Sequence, residues 1–172
     1  MKILVKNSFN NDHKKYVENL AEFCSRILFP EFSSNPNYKI LVRFVYKLDG
    51  DFEADASYYG QRINPTKCVI RISSKLKLYR MTKVFMHEMA HVKQFFKGEL
   101  VNLGTKSNFG YIWKQDLYNI TDDESYWLFP WEIDACGYEV GLYNTFVLKY
   151  ELPIRLLHLD YSAINDKIEE IG

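Results

Sequence analysis

Hydrophobic positions along the chain alternate between a helical period and a strand period. Met1 to Lys6 reads as a short strand. From Asp12, Tyr16, Leu20, Phe23 and Ile27 recur at steps of four, three and four, which predicts a core-facing helix stopped by Pro30. Tyr38 to Leu48 alternates instead, with Ile40, Val42, Phe44, Tyr46 and Leu48 on one face and Lys39, Arg43 and Lys47 on the other. That is the period of a half-buried strand. Asp49, Gly50 and Asp51 form a turn cluster, and Phe52 to Tyr59 is read as a returning strand. Lys67 to Ile72 alternates again, with Cys68, Ile70 and Ile72 inward. Three strands joined by short connections predict an antiparallel sheet.

A helix follows, starting between Ser74 and Thr82 and ending at Gly98, with Met81, Phe85, Met89, Val92 and Phe96 as its buried stripe. Residues 99–128 read as irregular or short strands, punctuated by Gly104, Gly110 and Asn119. Pro130 suits a first helical position and opens a helix to about Tyr150. Pro153 starts a last segment, helical to Ile168. No repeat or Gly/Ser linker divides the chain, so residues 1–172 are expected to form one α+β domain.

Composition narrows the picture. A 172-residue chain with 16% aromatic residues can bury a core unaided, which excludes disorder. Its 22 basic and 22 acidic residues cancel, which excludes a uniformly basic nucleic-acid binder. Cys24, Cys68 and Cys136 are odd in number and far apart, so they read as reduced thiols. The start turns polar after a short apolar run, and no apolar run reaches membrane-spanning length. A soluble, cytoplasmic protein without membrane association is the expectation.

Candidate chemistry sits in the second long helix, where His87, Glu88 and His91 spell HEMAH. Two His four apart lie about 40° apart in helical angle, so both imidazoles reach one ion, and HExxH is a zinc-peptidase signature. A chance occurrence is expected about once in two hundred such chains. Zn²⁺ needs a third protein ligand, and Glu132 and Asp134 stand at the start of the next long helix. Residues two apart point about 200° away from each other, so only one can serve. Packing leans toward Glu132, which shares its face with Ala135, Cys136 and Glu139.

HExxH followed by an ExxA helix is similar to gluzincin metallopeptidases. More closely, HEMAHVKQ, then WKQDLY at Trp113 to Tyr118, then YWLFPWEIDA at Tyr126 to Ala135, resembles the small SprT-like, zincin-like proteins of phages and prophages. The likeness covers roughly residues 60–145. Asp134 stands where that pattern has Glu, and Cys136 where other families place Asp or Asn. The resemblance implies a zincin-like fold, with the sheet packed on the HExxH helix and a Glu-bearing ligand helix after it. It also implies Zn²⁺ on His87, His91 and Glu132, with Glu88 as general base in peptide hydrolysis. No partner of the metal-bound His is implied, and Glu139 is the substitute read from the ligand face. Tyr143, Arg155 and His158 are candidate oxyanion donors.

A peptide or protein substrate is expected, paired in extended form with Lys67 to Ile72 if that strand is a sheet edge. Lys67 and Arg71 could equally protect such an edge from aggregation. Two alternatives stand beside the peptidase: a metal-binding regulatory protein of the same fold without hydrolytic activity, and a DNA-associated protease. The last rests on nine Lys or Arg between 62 and 97 (Arg62, Lys67, Arg71, Lys75, Lys77, Arg80, Lys83, Lys93, Lys97) against Glu88 alone. Trp113, Tyr118, Tyr126, Trp127 and Trp131 cluster between the two ligand helices, chiefly as core, with part of the group lining the cleft.

Overall fold

The computed structural model describes residues 1–50, 52–104, 110–119, 123–153 and 160–171. Strand β1 (Lys2–Lys6) leads into helix α1 (Asn11–Leu28), whose N-terminus is capped by the Asn10 side chain accepting from the His13 amide. A short helix α2 (Pro30–Ser33) precedes β2 (Lys39–Val45), β3 (Ala54–Tyr59) and β4 (Lys67–Ser73). Helix α3 (Leu78–Phe96) carries HEMAH. Strands β5 (Leu100–Asn102), β6 (Gly110–Trp113) and β7 (Asp116–Asn119) follow, then a 3₁₀ turn (Asp123–Leu128), helix α4 (Pro130–Lys149) and helix α5 (Tyr161–Ile171).

The α+β class is as expected, but the main sheet is mixed. Its order is β1-β2-β4-β3, with β1 and β2 parallel, β2 and β4 parallel, and only β3 antiparallel to β4. Two causes produce the difference from three antiparallel neighbours. β1-α1-β2 is a crossover unit, which returns the chain in the same direction. The turn after β2 does reverse the chain, but β4 takes the place beside β2 and leaves β3 outside it. Strand composition agrees: β4 reads KCVIRIS, with Cys68, Val69, Ile70 and Ile72 buried, while β3 reads ADASYY and has no aliphatic residue larger than alanine. A mainly apolar strand suits a central place, and β3 suits an edge.

β4 is therefore covered on both sides, which removes it as a docking edge for an extended substrate and removes edge protection as the role of Lys67 and Arg71. Arg71 instead meets Asp55 directly across the β3–β4 ladder, with Nε donating at 2.9 Å. Two other inward assignments change. Tyr46 lies beyond the end of β2 and is exposed, and Ile27 is half-exposed at the last turn of α1.

α1 and α3 pack on the sheet and on each other, and the Tyr16 and Thr82 hydroxyls join them at 2.7 Å. α3 is the central helix, with fourteen of its nineteen residues buried. β5, β6 and β7 form a separate antiparallel sheet whose β6–β7 turn places Lys114 and Gln115 at positive φ. The hairpin sets Tyr111 opposite Tyr118, and both rings contact Trp131 at the start of α4. Phe129 stacks on Trp131 at 4.5 Å. An aromatic seat thus fixes where α4 begins and, with it, where Glu132 points. Trp127, by contrast, is exposed.

Candidate metal centre

α3 and α4 run antiparallel, as a ladder of contacts shows. Tyr79 meets Tyr143, Lys83 meets Glu139, His87 meets both Glu139 and Glu132, and Gln94 meets Trp131 and Asp134. This register brings His87, His91 and Glu132 together, with one ligand atom of each within 4.8 Å of the others. Nε2 of His91 lies 3.2 Å from Nε2 of His87. The Glu132 oxygens lie 3.3 Å from Nε2 of His87 and 3.4 Å from Nε2 of His91. Ligand atoms arranged tetrahedrally around zinc at its usual bond lengths are about 3.3 Å apart. Oε1 of Glu132 is buried and has no hydrogen-bond partner among the described residues. A buried carboxylate whose two oxygens each face an imidazole nitrogen, one of them without a donor, is a site short of positive charge. The group could hold a metal ion.

Electrostatics point the same way. Burial opposes charge on His87, but Glu132 and Glu139 outweigh it and raise its pKa to about 10. Burial likewise opposes charge on His91, and Glu132 and Glu88 raise its pKa nonetheless. Glu132, itself penalised by burial, is held down to about 2 by the two imidazoles and by Tyr126. In the absence of a cation, protons are drawn into the place one would fill.

Glu88 is buried beside the pair, and burial pushes its pKa up to about 7 against the pull of His91 and His87. Asp134, the other acid in this turn, also reaches α3, but beyond the His pair. It accepts from Gln94 at 3.0 Å and lies 3.6 Å from the Lys93 ammonium. Lys93 also pairs with Glu99 at 2.7 Å and sits over the Tyr138 ring. The choice between Glu132 and Asp134 as the acid beside the His pair is thus settled by facing. Cys136, placed by spacing on the Glu132 face, is exposed, whereas Ala135 is buried there as expected.

Partners around the His pair are only partly those expected. Glu139 approaches Nδ1 of His87 at 3.5 Å while pairing with Lys83 at 3.0 Å. Burial disfavours its charge, yet His87 and Lys83 lower its pKa. Gln94 hydrogen-bonds Nδ1 of His91 at 2.8 Å. Its place three residues after His91 on one helix face was the available sequence signal, but no role follows from spacing alone. Tyr126 was visible only as one aromatic residue among several. Its phenol donates toward the Glu132 carboxylate, and burial together with that carboxylate raises its pKa.

Among the oxyanion candidates, Tyr143 packs edge-on against Tyr79, two turns before His87. Arg155 and His158 lie outside the described residues. No helix among the described residues is long and apolar enough to cross a membrane. No protein-family model, curated protein or solved structure matches the chain.

Proposed function

We propose that the chain is a zinc-dependent peptidase of zincin type. The observation that carries this reading is the convergence of His87, His91 and Glu132, one of whose buried carboxylate oxygens has no hydrogen-bond partner among the described residues, beside a buried Glu88. Two His and one Glu form a donor set characteristic of catalytic zinc. Zinc held there supplies Lewis acidity, polarising a carbonyl and acidifying water. Glu88 takes the proton of the attacking water and delivers it to the leaving amine. Tyr126, whose hydroxyl is directed at the Glu132 carboxylate, is the donor assigned to negative charge developing on the carbonyl oxygen. β1 and β3 are the edges of the main sheet, and β3 is the one that packs on α3, so an extended peptide pairing with β3 would run along the HEMAH helix.

The test is Glu88→Gln. The wild-type chain should bind about one zinc and cleave an unfolded substrate such as casein, and the variant should keep the metal while losing at least about 100-fold in rate. Undiminished cleavage by the variant removes Glu88 from the mechanism.

A metal-binding regulatory protein is the second reading. It takes support from the near-closure of the centre, where the side chains of His87, His91 and Glu132 are 12%, 10% and 1% exposed. Bound zinc without cleavage by the wild type selects it. The DNA-associated reading draws less support: Arg71, Arg80, Lys83, Lys93 and Lys97 are each spent on an acidic partner.

A further inference from the structure

Gln94 is fully buried, and both ends of its side-chain amide are engaged. Nε2 lies 2.9 Å from the Trp131 carbonyl oxygen and 3.0 Å from Oδ2 of Asp134. A carbonyl and a carboxylate can only accept, so the NH₂ end must face them and the amide oxygen must face His91. That oxygen, 2.8 Å from Nδ1 of His91, can also only accept. The imidazole therefore carries a proton on Nδ1 and turns Nε2 toward Nε2 of His87 and the Glu132 carboxylate. Reversing the amide would set its oxygen against two acceptors in a buried place, so the orientation is locked.

The same two acceptors flank Glu132 in sequence. Trp131 precedes it and Asp134 follows two residues later, so one amide grips the first turn of α4 on either side of the Glu. Glu139 serves Nδ1 of His87 more distantly, at 3.5 Å, and shares itself with Lys83. We infer that Gln94 is the positioning residue of the centre: it sets which nitrogen of His91 faces the cation and holds the Glu132 turn in register with it. The inference rests on the metal-centre reading above.

The experiment compares the full chain with Gln94→Met, which keeps length and removes both hydrogen-bonding ends. Phe146→Leu, a core change on α4 away from the site, supplies a control of reduced stability. Zn²⁺ affinity is measured by competition with a chromophoric chelator, and ring nitrogens of the zinc-loaded proteins are read by ¹⁵N NMR. Gln94→Met should lose roughly 10–100-fold in affinity and lose the exchange-protected Nδ1 proton of His91, while that of His87 beside Glu139 persists. Phe146→Leu should keep both the affinity and the proton. The inference is overturned if Gln94→Met matches wild type in affinity and NMR, or if the two variants lose affinity equally. A wild-type chain that binds no zinc overturns the metal reading and this inference with it, a result distinct from either of those.

Discussion

Among the described residues, the buried His13 has no charged partner. The imidazole is enclosed by Phe9, Phe44 and Tyr161 at centroid distances of 4.8, 4.4 and 4.6 Å. Nδ1 accepts from the Phe9 amide at 3.1 Å, and Nε2 is buried without a partner. Burial lowers its pKa to about 4 from an ordinary 6.5, the opposite of His87, whose carboxylates reverse the effect of burial. Below pH 6.5 the unfolded chain takes up a proton that folded His13 refuses, so stability falls as pH drops from 6.5 to about 4 and is unaffected by this group above that range. The full loss is roughly 3 kcal/mol. Denaturant melts of the wild type and His13→Phe at pH 7.5 and 4.5 should show a shallower acid loss in the variant. Equal losses would mean that His13 does not titrate this way. Asp134 and Glu132 teach a related lesson: two acids two residues apart both reach α3, Asp134 at a Lys–Gln pair and Glu132 at a His pair, because they leave α4 in different directions.

At the scale of elements, the end of α3 and the start of α4 determine whether the two helices meet in register. Gly98 closes α3 at φ 65°, with its amide bonded to Phe95 O and the Glu99 amide to Gln94 O, a Schellman arrangement. A Cβ on Gly98 would lie 2.1 Å from the Asn64 side-chain oxygen, and Asn64 itself holds φ 49°. Gly98→Ala should therefore cost about 1–3 kcal/mol by chemical denaturation, and a neutral result would show that the Asn64 loop yields freely. This stop was readable from the glycine and the end of the apolar stripe. The Lys114–Gln115 turn was not, because residues at positive φ in a two-residue hairpin are usually Gly, Asn or Asp, and neither Lys nor Gln signals one. Strand order was half-legible: β3's lack of large aliphatic side chains marks an edge, yet alternation alone cannot tell which strand becomes its neighbour.

Across the whole molecule, the proposed ion ties together elements that are distant in the chain, since His87 and His91 come from one helix and Glu132 from another. Zinc that binds only the folded chain stabilises it by about 2.7 kcal/mol at a hundredfold excess over its Kd. Stripping it with a chelator should lower Tm by roughly 5–10 °C in a protein of this size. The Glu132→Ala variant should show no such response, and an identical shift in that variant would remove Glu132 as a ligand.

Net neutrality conceals the basic stretch between residues 62 and 97. In the folded chain much of the basic stretch through α3 is paired with acids just before β3, in α2, in α4 and in the turn after α3, so cancellation takes place at contacts as well as in the sum. The sequence by itself determined the α+β class, the helical periods, the HEMAH pair and the short choice of acids, because these follow from spacing within one element. Packing in three dimensions was needed to place β4 between β2 and β3, to set Glu132 rather than Asp134 against the His pair, and to let Gln94 bridge the two helices. Each depends on the register between segments dozens of residues apart, which packing sets and local periodicity does not record.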